Sequence, residues 1–152
     1  MNKIRDIIIS ILIPNTIGII SALVSDLSNN IDTFNKPSFT PPGILFPIAW
    51  TILYILMGIS SYIIYNDNST YKKKPLILYI IQLLINGLWS IIFFKYKLFL
   101  TSFILIIILL VMNILLLIEY YKINKTASYL QIPYVLWLTF ASILSYSVYI
   151  LN

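Results

Sequence analysis

"LFLTSFILIIILLVMNILLLI", residues 98–118, runs for 21 positions without a charged side chain. At about 1.5 Å of rise per residue such a helix spans about 30 Å, the thickness of a bilayer's hydrocarbon core. Lipid offers the backbone no hydrogen-bond partners, so the segment must be a helix that pairs its own amides and carbonyls. The rest of the chain repeats this reading. Its 152 residues are 60% hydrophobic and 10% charged, with a mean hydropathy of +0.93. A soluble domain carries roughly a quarter charged residues. Four further apolar stretches, at about 7–24, 46–65, 76–94 and 130–151, complete the expectation of one domain built as an all-α, five-transmembrane-helix bundle. No alternation of short apolar and polar positions suggests a membrane β-barrel.

The separators are short. "NDNSTYKKKP" (66–75) is a polar turn with a basic cluster and a helix-starting proline, "KYK" (95–97) is a tight hairpin, and "EYYKINKT" (119–126) is a charged aromatic interface segment. Links of this length make successive helices antiparallel. The opening stretch, basic and then apolar, imitates a secretory leader. It has no clean small-x-small cleavage site and is long enough to span, so it reads as the first membrane helix, interrupted and kinked at Pro14. Placing Lys3, Arg5, Lys72, Lys73, Lys74, Lys122 and Lys125 on one side leaves Lys36, Lys95 and Lys97 on the other. That asymmetry puts the N-terminus in the cytoplasm. The net charge of +5 is better explained by helix ends and anionic lipid headgroups than by nucleic acid, which is not an expected partner.

There is no cysteine and no histidine. Disulfides and Ser-His-Asp or Cys-His catalysis are thereby excluded, and no metal site is expected. No pattern of membrane carboxylates suggests a proton relay, and no repeat pair suggests alternating access. The informative residues lie on helix faces. Trp50, Tyr54, Met57, Gly58 and Ser61 follow one another at i, i+4, i+7, i+8 and i+11 in the second stretch. Gln82, Asn86, Trp89, Ser90 and Phe93 do so in the third, and Tyr134, Trp137, Ala141 and Ser145 share a face at i, i+3, i+7 and i+11 in the fifth. Singly, each reads equally well as an interface anchor or as helix–helix glue. Together, three aromatic stripes that each carry polar groups read as the lining of a cavity for a flat ligand. Asn113 reads as inter-helix glue, and Gly18-x-x-x-Ala22 as a close helix contact.

The segment "KPSFTPPGILFPIAWTILYILMG" (36–58) resembles the hallmark of the TspO/MBR family of tryptophan-rich sensory proteins, related to mitochondrial translocator protein. The matching positions are Lys36, Pro37, Phe39, Pro41, Pro42, Trp50, Thr51, Tyr54, Met57 and Gly58. "QLLINGLWSIIFF" (82–94) and "PYVLWLTFASIL" (133–144) are similar to two further signatures of that family. The resemblance implies a five-helix bundle, commonly a homodimer. It also implies a pocket for porphyrin-type tetrapyrroles such as protoporphyrin IX and haem-related compounds, or for sterol and benzodiazepine-type ligands. The expected role is sensing or regulation, in a membrane such as bacterial members occupy, with no cofactor required beyond the porphyrin as ligand or substrate. Some members degrade protoporphyrin with light and oxygen, which would make Trp50 and Trp137 catalytic; tetrapyrrole transport is a further alternative. The ligand contacts implied are Pro41, Pro42, Trp50, Tyr54, Asn86, Trp89, Tyr134, Trp137, Ala141 and Ser145, with the proline-rich loop as a stiff lid. Phe39 stands where the family pattern has tryptophan, and Ser145 where many members have asparagine.

Overall fold

The computed structural model describes residues 2–152. Its elements are α1 (Lys3–Val24), a single-turn α2 (Leu27–Asn30), α3 (Leu45–Tyr65), α4 (Lys73–Ser90) continued by a π-wound turn (Ile91–Lys95), α5 (Phe99–Ile123) and α6 (Lys125–Leu151). Among the described residues, five helices, α4 with its π extension counted as one, are long and apolar enough to cross a membrane. The helices exceed the apolar runs because polar residues continue their end turns. Between α5 and α6 the only non-helical residue is Asn124. Its extended backbone (φ −149°, ψ 118°) breaks the helix, and its side chain accepts from the amide of Ala127 at 3.1 Å. That is the N-cap bond for which asparagine is favoured. At the other end of the same side of the bundle, Lys72 Nζ donates to the carbonyls of Tyr65 (2.7 Å) and Asp67 (2.8 Å), tying off the C-terminus of α3.

Around the bundle the spans follow the order α1, α3, α6, α5, α4 and back to α1. Consecutive α3 and α4 touch little, so the ring is closed by two pairs distant in sequence, α3 with α6 and α1 with α4. The expected interruption at Pro14 does not occur: Lys3–Val24 is a continuous helix. Proline has no N–H to give the carbonyl of Ser10, one turn back. That carbonyl lies against Gly58 of α3. A Cβ there would sit 2.5 Å from Ser10 O and 2.6 Å from Ile11 Cα. Glycine thus lets the two backbones touch where the proline leaves an oxygen without its helical donor.

Several buried polar side chains pair across helices, which offsets the cost of placing them in a hydrocarbon solvent. Asn113 of α5 donates to Gln82 Oε1 of α4 (3.2 Å) and to the Leu109 carbonyl (2.9 Å), the inter-helix bond expected of it. Ser60 donates to the Ala127 carbonyl (2.7 Å), and Ser61 pairs with the Tyr120 hydroxyl (3.0 Å). On the opposite side the loop from α1 to α3 is pinned to the end of α6. The Asn35 amide donates to Asn152 Oδ1 (3.0 Å), Asn152 Nδ2 donates to the Asn35 carbonyl (2.8 Å), and Asn35 Nδ2 donates to the Leu151 carbonyl (3.3 Å).

Two outcomes follow from these contacts. Gly58→Ala forces apart two backbones rather than a flexible side chain, and should cost roughly 1–3 kcal/mol, read as a lower thermal midpoint in detergent. Asn152→Ala removes the reciprocal bonds to Asn35. It should accelerate proteolysis within residues 31–44 severalfold while leaving the helical circular dichroism unchanged.

Candidate ligand cavity

The loop and four of the helices enclose an apolar cavity of about 180 Å³. Trp50 occupies its centre, one turn into α3. Its ring stacks on Tyr54 (centroids 5.4 Å, 30°), meets Trp137 edge-on (6.1 Å, 82°), and lies 6.5 Å from Trp89. The three tryptophans of the chain, spread over 88 positions of sequence, therefore form one cluster: α3, α4 and α6 each contribute one, at 50, 89 and 137. Below the rings, the Tyr54 hydroxyl donates to Asn86 Oδ1 (3.3 Å) and Asn86 Nδ2 donates to the Tyr134 hydroxyl (2.6 Å). This relay ties α3, α4 and α6 together and holds the Asn86 amide in a fixed orientation.

Trp50, Tyr54, Asn86, Trp89, Trp137, Ala141 and Ser145 all lie on the wall, as the helical spacing predicts. Three expected contacts lie off it. Tyr134 is almost completely buried behind Trp50 and Asn86, so it positions the wall rather than forming it. Pro41 and Pro42 are also off the wall. The Pro42 carbonyl accepts the Leu45 amide at 2.9 Å and so sets the start of α3. In this structure the prolines bear on the cavity through the path of the chain. Phe39 too is off the wall; it is half exposed and packs on Phe140 (6.4 Å).

Helical periodicity missed the α1 side and most of the loop. Asn15, Gly18, Ser21 and Ala22 line the cavity, and so do Phe34 and Lys36. The Gly18-x-x-x-Ala22 spacing was the available signal. A Cβ on Gly18 would fall 2.4 Å from Tyr54 Cε2, so glycine makes room for the wall tyrosine. Phe34 is anchored in a second aromatic group, against Phe93 (5.4 Å) and Phe99 (5.3 Å). Phe93 is carried by the π-wound turn, whose wider winding departs from the register that a regular helix would impose on the end of α4.

The chemistry of the wall is one-sided. The indole N–H groups of Trp89 and Trp137 and the hydroxyl of Ser145 are buried without a hydrogen-bond partner. Native proteins rarely leave such groups unmet, because each costs about 1–3 kcal/mol. Both indoles can only donate, so the wall suits a flat apolar body that carries acceptors. The volume is below the roughly 300–1,000 Å³ of sites that enclose a drug-sized ligand. A macrocycle therefore enters only with movement of the loop or of the Trp50 ring.

The TspO/MBR family profile matches residues 10–151. The chain is 41% identical over 117 residues to the tryptophan-rich protein TspO of Archaeoglobus fulgidus, covering 77% of this chain and 76% of that protein. It is 30% identical over 121 residues to the tryptophan-rich sensory protein of Cereibacter sphaeroides (80% and 75% covered), and 33% identical over 119 residues to the human translocator protein (75% and 69%). A match over nearly the whole chain, together with five apolar spans, makes this an integral membrane protein that belongs to the TspO/MBR family.

Proposed function

We propose that this protein binds flat, conjugated tetrapyrroles of the protoporphyrin IX type in the aromatic cavity, in a sensing or regulatory role. The observation that carries this reading is the Trp50–Trp89–Trp137 cluster, lining a cavity whose buried indole N–H groups lack acceptors. Stacking and donor groups recognise a ring system with acceptors and require no metal. A sterol or a benzodiazepine-type compound would use the same apolar wall with fewer stacking contacts. We also read the protein as a homodimer with a cytoplasmic N-terminus. The orientation rests on seven cationic side chains against three.

With neither imidazole nor thiolate available, metal-free protoporphyrin IX should bind about as tightly as haem. Titration of both by tryptophan quenching checks this, and a strong preference for haem with a ligated Soret band would overturn it. Trp50→Ala should weaken protoporphyrin binding about tenfold, the loss of roughly 1.4 kcal/mol of stacking.

The contact between indoles favours a second reading, photo-oxidative porphyrin degradation. An excited porphyrin against Trp50 or Trp137 can exchange an electron with the ring in a site shielded from bulk water. Under illumination in air, Trp50→Phe and Trp137→Phe should slow porphyrin bleaching. Bleaching at the wild-type rate would remove both tryptophans from any catalytic role.

A further inference from the structure

The cavity wall carries one charged side chain, Lys36. Three-quarters of that side chain is buried, and its ammonium lies 5.6 Å from the centroid of Phe34. Its ion-pair partner is Asp32 Oδ1, one helical turn earlier in number, at 2.5 Å. Asp32 is 85% exposed and is not part of the wall. An ion pair with one partner in solvent contributes little and is easily exchanged. Among the described residues no carboxylate lines the cavity to balance the lysine. A cation at the mouth of a low-dielectric cavity attracts anions more strongly than the same charge in open water. The unmet groups deeper in the wall have the same polarity: the Trp89 and Trp137 N–H groups can only donate, and Ser145 is able to.

We propose that Lys36 is the specificity-determining residue of this site, selecting ligands whose flat apolar body ends in a carboxylate. The acid group takes the place of Asp32 on the Lys36 ammonium while the ring system lies against Trp50. This inference rests on the tetrapyrrole reading above and adds to it an orientation, acid end toward the loop, and a discrimination between acid and ester.

The test compares protoporphyrin IX with its dimethyl ester, which keeps the ring and loses both charges. Binding is followed by tryptophan quenching in a neutral detergent. The wild-type protein should bind the acid about tenfold tighter than the ester, as one charge-assisted hydrogen bond allows. Lys36→Gln should abolish the difference, Lys36→Arg should retain it, and Asp32→Asn, which removes the competing carboxylate, should widen it. Equal binding of acid and ester by the wild-type protein overturns the proposal and leaves the tetrapyrrole reading standing. So does a Lys36→Gln protein that still prefers the acid. Failure of both compounds to bind overturns both readings. Oleate supplies a carboxylate without a ring. It should fail to displace the porphyrin at equal concentration, and displacement would show that the lysine selects acids irrespective of ring structure, contrary to the proposal.

Discussion

A hydrocarbon solvent supplies no hydrogen bonds, and the rest of this structure depends on that constraint. It makes every span a helix, because only a helix pairs its own backbone. It also drives the polar side chains inward, where they find one another. Gln82 meets Asn113, Asn86 meets Tyr134, Ser61 meets Tyr120, and Ser60 meets the carbonyl of Ala127. These bonds join α3, α4, α5 and α6, so the polar interior does the joining that exclusion of water does in a soluble core. Close backbone approach does the same for α1 and α3, where Gly58 lies on the Ser10 carbonyl.

The cavity arises where that pairing stops. In the half of the bundle near the loop, Trp89, Trp137 and Ser145 carry buried polar atoms that no group among the described residues answers. Away from the cavity Tyr79, Asn113 and Gln131 also bury an unpartnered oxygen; what marks the half near the loop is its reserve of cavity-lining indole N–H groups, which can only donate. The Tyr54–Asn86–Tyr134 relay lies at the boundary and stiffens the floor of the reserve half.

The loop over that half is rigid without being covalently closed. Two of its prolines open hydrogen-bonded turns (Thr40 amide to Pro37 carbonyl, Leu45 amide to Pro42 carbonyl), Phe34 is held by Phe93 and Phe99, and Asn35 is clasped by Asn152. Each of these attachments is non-covalent, and the Asn35–Asn152 bonds are exposed, where a hydrogen bond contributes about 1 kcal/mol or less. A lid held in this way can rest closed over a small cavity and still yield to a ligand larger than the present space.

Composition and hydropathy alone determined the membrane setting, the number of spans and the inward faces of α3, α4 and α6, because lipid imposes length and periodicity on any chain that crosses it. The tryptophan stripes were legible for the same reason: 3.6-residue periodicity fixes which side chains share a face. Phe93 lies on the wall with Asn86 and Trp89 as its spacing indicated, but the π winding that carries it was not legible. Nor was the contribution of α1, whose moderate pattern of small residues acquires meaning only when Tyr54 is seen packed on Gly18. Pro41 and Pro42, implied as contacts by the family resemblance, lie off the cavity wall, a placement that no local pattern in the sequence shows. The order of helices around the bundle, the meeting of Trp50, Trp89 and Trp137 in one cluster, and the placement of Lys36 at the mouth were decided by tertiary structure alone. Each depends on contacts between residues dozens of positions apart, and local periodicity carries no information about those.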